Sequence, residues 1–350
     1  MKRREMIQAS ILGGIGAAFP SLALAKTKRH LIYENHDPVK FCEDNLKVDG
    51  QKFRITGNGY KPFADIYRHI GLEAIKQDSK PMVFVKGRQV GFISMLTNLE
   101  CYFAASGVFG TERLPIRVFH LFPSLPVATH FSKYKLARTM EAEVVQAQLD
   151  KSYPYNDSLG FKQFKNGNQI WTDSPGYYGD RMRGRTGDLI FFDEVQDINQ
   201  EAVESAQKIL TQANYGPKGQ GVQLYFGTPK QKKSYFHKLW EDSSQHYFHL
   251  RCGKCNELFP LYRPDVNWED IWLYGYTVKC TECSHKQDKR KAAEYGQWIS
   301  WRPEEKYIGV HINQLYIPAF TKEVILQQKP QNNPMNTEMV YQNEVLGEFD

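Results

Sequence analysis

Two adjacent carboxylates, Asp193 and Glu194, close the apolar run Leu189-Ile190-Phe191-Phe192. A run of that kind is expected as a buried parallel strand, and the C-terminal edge of an open α/β sheet is where ligands are held. Two acids delivered there suit nucleotide hydrolysis, with Asp193 on Mg²⁺ and Glu194 orienting the attacking water. Buried strands also end in Asp or Glu with no chemistry attached, so the neighbouring motifs must decide.

Upstream, Lys86-Gly87-Arg88-Gln89-Val90-Gly91 is a glycine-bearing turn. Its backbone N–H groups, together with the N-terminus of the helix expected after it, make an anion cradle. The turn departs from the phosphate-loop pattern G-x-x-x-x-G-K-[ST]. Phe92 takes the lysine position and Ile93 the hydroxyl position. Lys86, at the front of the turn, can curl back to the phosphates, and Ser94 stands one residue late for the metal. The candidate cofactor-binding set is therefore Lys86, Gly87, Arg88, Gln89, Gly91 and Ser94, with a plain glycine turn as the competing reading.

Three more motifs follow. An arginine of Arg181-Met182-Arg183-Gly184-Arg185, with Arg183 the candidate and the choice among the three left open, could reach a γ-phosphate in its own site or in a neighbouring subunit's. A solvated basic loop, or one touching nucleic-acid phosphates, fits equally well. Thr228, in Gly227-Thr228-Pro229, places a hydroxyl at the end of the strand expected next, where it can sense the γ-phosphate. Cys252-x-x-Cys255 and Cys280-x-x-Cys283 match the two knuckles of a zinc ribbon, whose four thiolates close the Zn²⁺ shell and leave no catalytic position. Lys and Arg around them could touch DNA, a solvated face being the default. Cys42 and Cys101 stand alone and are expected as buried, inert thiols.

The elements that must position these groups alternate. Helix is expected over 63–75, strand over 81–85, helix from Phe92 to Ala105, strand over 116–122 and one long helix over 126–150. Strand over 169–172, the acid strand, a helix capped by Asn199 running to Ala213, and strand over 221–226 complete the series. Strands alternating with helices give an α/β fold, a mostly parallel sheet in three layers. The glycine turn and acid strand are expected to share one site at adjacent strand ends. After Tyr235 the character shifts to aromatics, cysteine pairs and Pro/Asn-rich stretches.

Length is compatible with two domains, and a net charge of +6 allows a polyanionic partner without demanding one. The paired cysteine spacing argues for metal ligation rather than a disulfide framework. Lys2-Arg3-Arg4, the apolar stretch Ile11 to Leu24 and Ala23-Leu24-Ala25 together read as a twin-arginine-like export signal, too short and Gly-rich for a membrane span. A genuine leader would send the protein to the periplasm.

Taken together, Lys86–Gly91, Arg181–Arg185, Asp193-Glu194, Gly227-Thr228-Pro229 and the following ribbon resemble the large subunit of tailed-bacteriophage terminases, in the lambda-like branch. The resemblance covers about residues 31–350. It implies a P-loop (ASCE-type) ATPase sheet with a small inserted or appended zinc ribbon. It also implies an ATPase motor using ATP, Mg²⁺ and Zn²⁺ to package double-stranded DNA in the host cytoplasm. The implied partners are DNA, a portal ring or procapsid and a terminase small subunit, with homo-oligomerisation on the portal and no membrane. In the family a displaced loop lysine is frequent, which favours Lys86, and the acid pair and coupling threonine map to Asp193, Glu194 and Thr228. The expected divisions are a signal-like leader over 1–30, a P-loop ATPase domain over 31–240, a zinc-ribbon segment over 241–300 and a C-terminal linker over 301–350. That linker would lead towards a nuclease domain with no counterpart among these residues. The motor reading favours a misplaced start or fusion over an exported protein. Alternatives are a zinc-ribbon nucleic-acid-binding protein on a catalytically dead nucleotide fold, and a helicase-type ATPase.

Overall fold

In the computed structural model of the chain, residues 36–350 are described, except 74–75, 111–112, 155 and 157. The signal-like leader lies outside the described residues. No described helix is long and apolar enough to cross a membrane.

A ten-stranded sheet organises the molecule. Its strands are β1 (Met82–Lys86), β2 (Arg117–Leu121), β3 (Phe161–Gln163), β4 (Gln169–Asp173), β5 (Leu189–Phe192) and β6 (Val222–Gly227), then β7 (His246–Arg251), β8 (Leu258–Pro260), β9 (Gln297–Ser300) and β10 (Ile308–Ile312). Their order across the sheet is β8-β7-β10-β1-β6-β5-β2-β4-β3, with β9 paired to β7. The run from β7 to β4 is parallel throughout, and β3, β8 and β9 pair antiparallel at the margins. Every residue of β1 and β5 is buried, as a parallel strand covered on both faces requires. The apolar content of these short runs follows from that double burial.

Helix α2 (Phe92–Ala105) packs on the sheet through Phe92 and Phe103, and helix α1 (Lys61–Glu73) packs on α2. Phe92 explains the unusual glycine turn. It opens α2 with its ring buried edge-on against Phe84 of β1 and Phe226 of β6, at 5.9 and 5.8 Å between centroids. A lysine there would have to leave a charge in that aromatic packing or pull out of it.

Four expectations are corrected. The stretch 126–150 is not one helix but the short helical segments Leu125–Phe131, Ser132–Leu136, Ala137–Met140 and Glu143–Gln148. The break falls at Ala142, where ψ is 134° and the chain leaves helical geometry. The helix begun by Asn199 keeps α geometry only over Gln200–Ala206 and tightens to 3₁₀ over Gln207–Gln212. The glycine-turn strand β1 and acid strand β5 are not adjacent, because β6 runs between them. Residues 301–350 are more than a linker: β10 sits in the sheet interior, with Ile308–Ile312 in register with Met82–Lys86 on one side and contacts to β7 on the other. The sheet thus takes strands from stretches the sequence assigned to the ribbon and the linker.

Candidate active site

Three strand ends meet at the C-terminal edge. β1 ends on Lys86, β6 leads into Thr228 and β5 into Asp193-Glu194. Because β6 lies in the middle, Thr228 stands between the lysine and the acids. Lys86 is buried, and its Nζ donates to Glu194 Oε1 at 2.9 Å and to Thr228 Oγ1 at 3.4 Å. Gln196 Nε2 donates to the other carboxylate oxygen, Oε2, at 2.6 Å. Glu194 itself sits in the left-handed region at φ +51°, a conformation a non-glycine residue holds only where the surroundings fix it.

Asp193 is buried beside it. Its Oδ1 accepts the Glu194 amide at 3.0 Å, and its Oδ2 lies 3.7 Å from His120 Nε2. Burial alone would raise the Asp193 carboxyl, but His120 and Lys86 hold it below the ordinary carboxylate range. It is therefore an anion. A buried, anionic, hard oxygen donor at this strand edge fits Mg²⁺, which takes one or two carboxylates and keeps most of its remaining ligands from water and phosphate. His120 is fully buried; burial would lower its pKa, yet Glu100 and Asp193 raise it to about 9.

The glycine turn separates two clefts. On the acid side, a cleft of about 660 Å³ is lined by Arg88, Glu194, Gln196, Thr228, Lys230 and Glu344, among others. On the other side, Gln89, Gly91 and Ser94 line an apolar cleft of about 280 Å³ with Phe53, Tyr60 and Ile317. Ser94 thus faces the aromatic cleft rather than the acidic one. Gly91 bends the chain into α2 at φ +84°. Gly87 has another reason to be glycine: a Cβ there would lie 2.9 Å from the Val345 carbonyl oxygen. The C-terminal stretch presses on the turn, with the Arg88 amide donating to Glu344 O at 2.6 Å and the Gly87 amide to Ile312 O at 3.0 Å. The Arg88 guanidinium pairs with the Glu344 carboxylate at 3.0 Å.

The arginine loop follows β4 at the same sheet edge. Arg181 and Arg185 both bind Asp173, at 2.7 and 2.9 Å. Arg183 is exposed, and among the described residues no carboxylate pairs with it. Of the three arginines, it alone is unencumbered by that carboxylate, and the loop lies two strands beyond β5.

The four ribbon cysteines gather with all sulfurs within 4.8 Å of one another. Cys252 and Cys283 sulfurs lie 3.6 Å apart, and those of Cys255 and Cys280 3.8 Å. Tetrahedral Zn²⁺ with bonds of about 2.3 Å separates its sulfurs by roughly 3.8 Å, so the cluster fits the ion. The two knuckles are alike: Asn256 and Ser284 adopt positive φ, and their amides donate to Cys252 O and Cys280 O. The ribbon strands Trp272–Tyr274, Thr277–Lys279 and Lys286–Asp288 form a separate three-stranded sheet. Its basic residues are partly committed elsewhere. Lys289 is buried, donating to Leu315 O and Ile317 O at 3.0 Å each, and Arg290 is bound to Asp288. His249, beside the first knuckle, is buried in β7. Cys42 and Cys101 are buried thiols, their pKa values raised by burial.

Sequence reasoning missed Gln196, His120, Glu100 and the aromatic cleft. Gln196 had a signal, since it follows the acid pair by two residues. His120 and Glu100 had none, because their meeting depends on packing between α2 and β2.

The family described as the ATPase domain of phage terminase large subunit gpA matches residues 68–302. None of the curated proteins gives a significant match. Among solved structures, the ATPase domain of the Thermus phage P74-26 large terminase is similar at 12% identity and a TM-score of 0.45, over 79% of this chain and 92% of that one. The HK97 bacteriophage large terminase is similar at 11% identity and a TM-score of 0.42, over 55% of this chain and 37% of that one. A large terminase from a thermophilic bacteriophage, solved with ADP, matches at 12% identity and a TM-score of 0.45, over 77% of this chain. This chain spans about half of that protein's length, at 48%. With more than half of its residues matched, the chain belongs to the family of phage terminase large subunit gpA, within the ATPase domain.

Proposed function

We propose that Lys86, Thr228, Asp193 and Glu194 form the ATP-hydrolysing centre of a DNA-packaging motor. The carrying observation is the convergence of Lys86 on Glu194 and Thr228, at 2.9 and 3.4 Å, from three neighbouring strands. The aromatic cleft beside Gly91 suits a nucleotide base, and the α2 N-terminus that follows Gly91 suits the phosphates, since the Gly87 and Arg88 amides are already bonded to Ile312 O and Glu344 O. Lys86 supplies the positive charge that Phe92 cannot. A γ-phosphate arriving at this edge would compete with Glu194 for Lys86. Losing that partner leaves the Glu194 carboxylate free to orient water, with Gln196 holding its second oxygen. Thr228, bonded to the same lysine, feels the exchange and passes it into Pro229-Lys230. Asp193 and the phosphates would hold Mg²⁺, which when bound neutralises charge on the β- and γ-oxygens.

Arg183 is the arginine available to stabilise phosphoryl charge, and its exposure favours a neighbouring subunit's site over its own. The cysteine cluster holds a structural Zn²⁺ on this reading. Double-stranded DNA, a portal ring or procapsid, a small subunit and further copies of the chain are the proposed partners, and the host cytoplasm the place of action. Substituting Glu194→Gln is expected to preserve ATP binding and to lower turnover by about 10²–10⁴-fold. Undiminished turnover would remove Glu194 from this role.

A further inference from the structure

Behind the acid strand lies a buried ionisable group that the proposed hydrolysis does not use. His120, on β2, projects between α2 and β5. Its Nδ1 lies 2.9 Å from Glu100 Oε1, and its Nε2 lies 3.7 Å from Asp193 Oδ2. Relative exposures of Glu100, His120 and Asp193 are 0%, 0% and 2%, so water does not compete for these contacts. The ring is clamped, stacked on Phe122 at 4.3 Å and edge-on to Phe131 at 4.5 Å. His120 Nε2 and Glu100 Oε2 have no hydrogen-bond partner among the described residues.

A core filled for packing alone would not enclose two carboxylates and an imidazole, because each buried charge costs heavily unless paired. The placement of the three groups gives that cost a purpose. Glu100 belongs to α2, the helix whose N-terminus is the phosphate turn. Asp193 directly follows β5, and His120 is in register with Phe191 on that strand. The imidazole therefore links the helix that would hold the phosphates to the carboxylate that would hold the metal. Imidazole is suited to this, because a hydrogen bond at one nitrogen fixes where the other nitrogen points.

We propose that His120 is a positioning residue: oriented by Glu100, it directs its Nε2–H at Asp193 and keeps that carboxylate in register with the phosphate turn. The proposal rests on the reading of Asp193 as the Mg²⁺ carboxylate. At 3.7 Å the contact with Asp193 is longer than a hydrogen bond, so the clamped ring fixes where the carboxylate can stand while leaving its oxygen available.

Asparagine and glutamine divide the two nitrogens between them. In His120→Asn the amide stands near Nδ1, keeping Glu100 and losing Asp193; in His120→Gln it reaches towards Nε2 and Asp193. The measurement is calorimetric affinity of the full chain for a slowly hydrolysed ATP analogue, in excess Mg²⁺ and in EDTA. The readout is the Mg²⁺-dependent gain in affinity. His120→Asn is expected to lose about tenfold or more of that gain, the usual effect of removing a group that orients a metal ligand, with unchanged affinity in EDTA. His120→Gln is expected to recover most of it. Equal loss in the two variants, or no loss in His120→Asn, would overturn the proposal. Should His120→Asn fail to fold, Glu100→Gln is expected to lose part of the gain, and full retention there would overturn the relay. Asp193→Asn separates the two levels. Retention of the gain in that variant would overturn the Asp193 reading and the relay with it, whereas loss there with retention in His120→Asn would overturn the relay alone.

Discussion

At the scale of residues, the site is a set of substitutions for a familiar arrangement. Phe92 occupies the position of the usual loop lysine because its ring completes the packing between Phe84 and Phe226, and Lys86 reaches the site from the strand before the turn. The sequence displayed both facts without displaying their connection, since nothing in the spacing says that Phe92 points inward. The arginine loop shows the same limit. Three arginines of one type at alternate positions were indistinguishable until Asp173 was seen to bind Arg181 and Arg185. The difference can be measured. Arg183→Ala is expected to lower ATP turnover of assembled chains by 10³-fold or so while leaving the melting temperature within a degree or two, as for an arginine acting on phosphoryl charge. Arg181→Ala should do the reverse, costing stability through the buried Asp173 and less turnover. Equal losses of turnover in the two variants would remove Arg183 from the role.

At the scale of elements, the ribbon is bound into the domain rather than hung from it. Its cysteine knuckles were legible from spacing alone, because two C-x-x-C pairs leave few other uses for four thiols. Its attachment was not legible, because that depends on Lys289. The Lys289 ammonium lies 3.9 Å above the Trp272 ring centre and donates to Leu315 O and Ile317 O. Ile317 in turn lines the aromatic cleft. Glu294, on the helix Lys289–Glu294, accepts from the Gly59 amide next to Tyr60. Metal removal should therefore loosen the cleft as well as the ribbon. Strong chelation, or Cys280→Ser, is expected to release one zinc per chain, lower the melting temperature and weaken nucleotide binding. Metal analysis beside calorimetry checks it, and stoichiometric zinc loss with an unchanged melting profile would contradict it. The large effect is expected because structural zinc contributes roughly 10–16 kcal/mol of apparent binding energy in ribbon-sized peptides.

At the scale of the whole molecule, the sequence conveyed the α/β alternation of residues 81–227 and lost the thread beyond it. β10 is a buried central strand, but Ile308-Gly309-Val310-His311-Ile312 carries Gly309 and His311 and lies after the cysteine-rich stretch, so order along the chain concealed its place in the sheet. The crossing has a consequence for acid stability. Burial holds the pKa of His311 in β10 and of His249 in β7 down to about 4 each, so both are neutral in the folded protein. An unfolded histidine titrates near 6.5. Between pH 6.5 and 4 the unfolded chain binds more protons, and stability should fall as pH drops through that window, by about 3 kcal/mol per histidine. Above pH 6.5 these two groups contribute no slope. Urea midpoints across pH should show this, with a shallower acid slope in His311→Phe; an identical slope would contradict it. The proposed hydrolysis of ATP through Glu194, with Lys86 as the phosphate cation, takes place at the edge where β1, β6 and β5 meet. Its most direct test is single-turnover hydrolysis of radiolabelled ATP by the parent chain and by Glu194→Gln, with protein in excess so that binding drops out of the comparison. The predicted result is rapid product formation in the parent and ATP that stays bound but intact in the variant. Equal single-turnover rates would contradict the account.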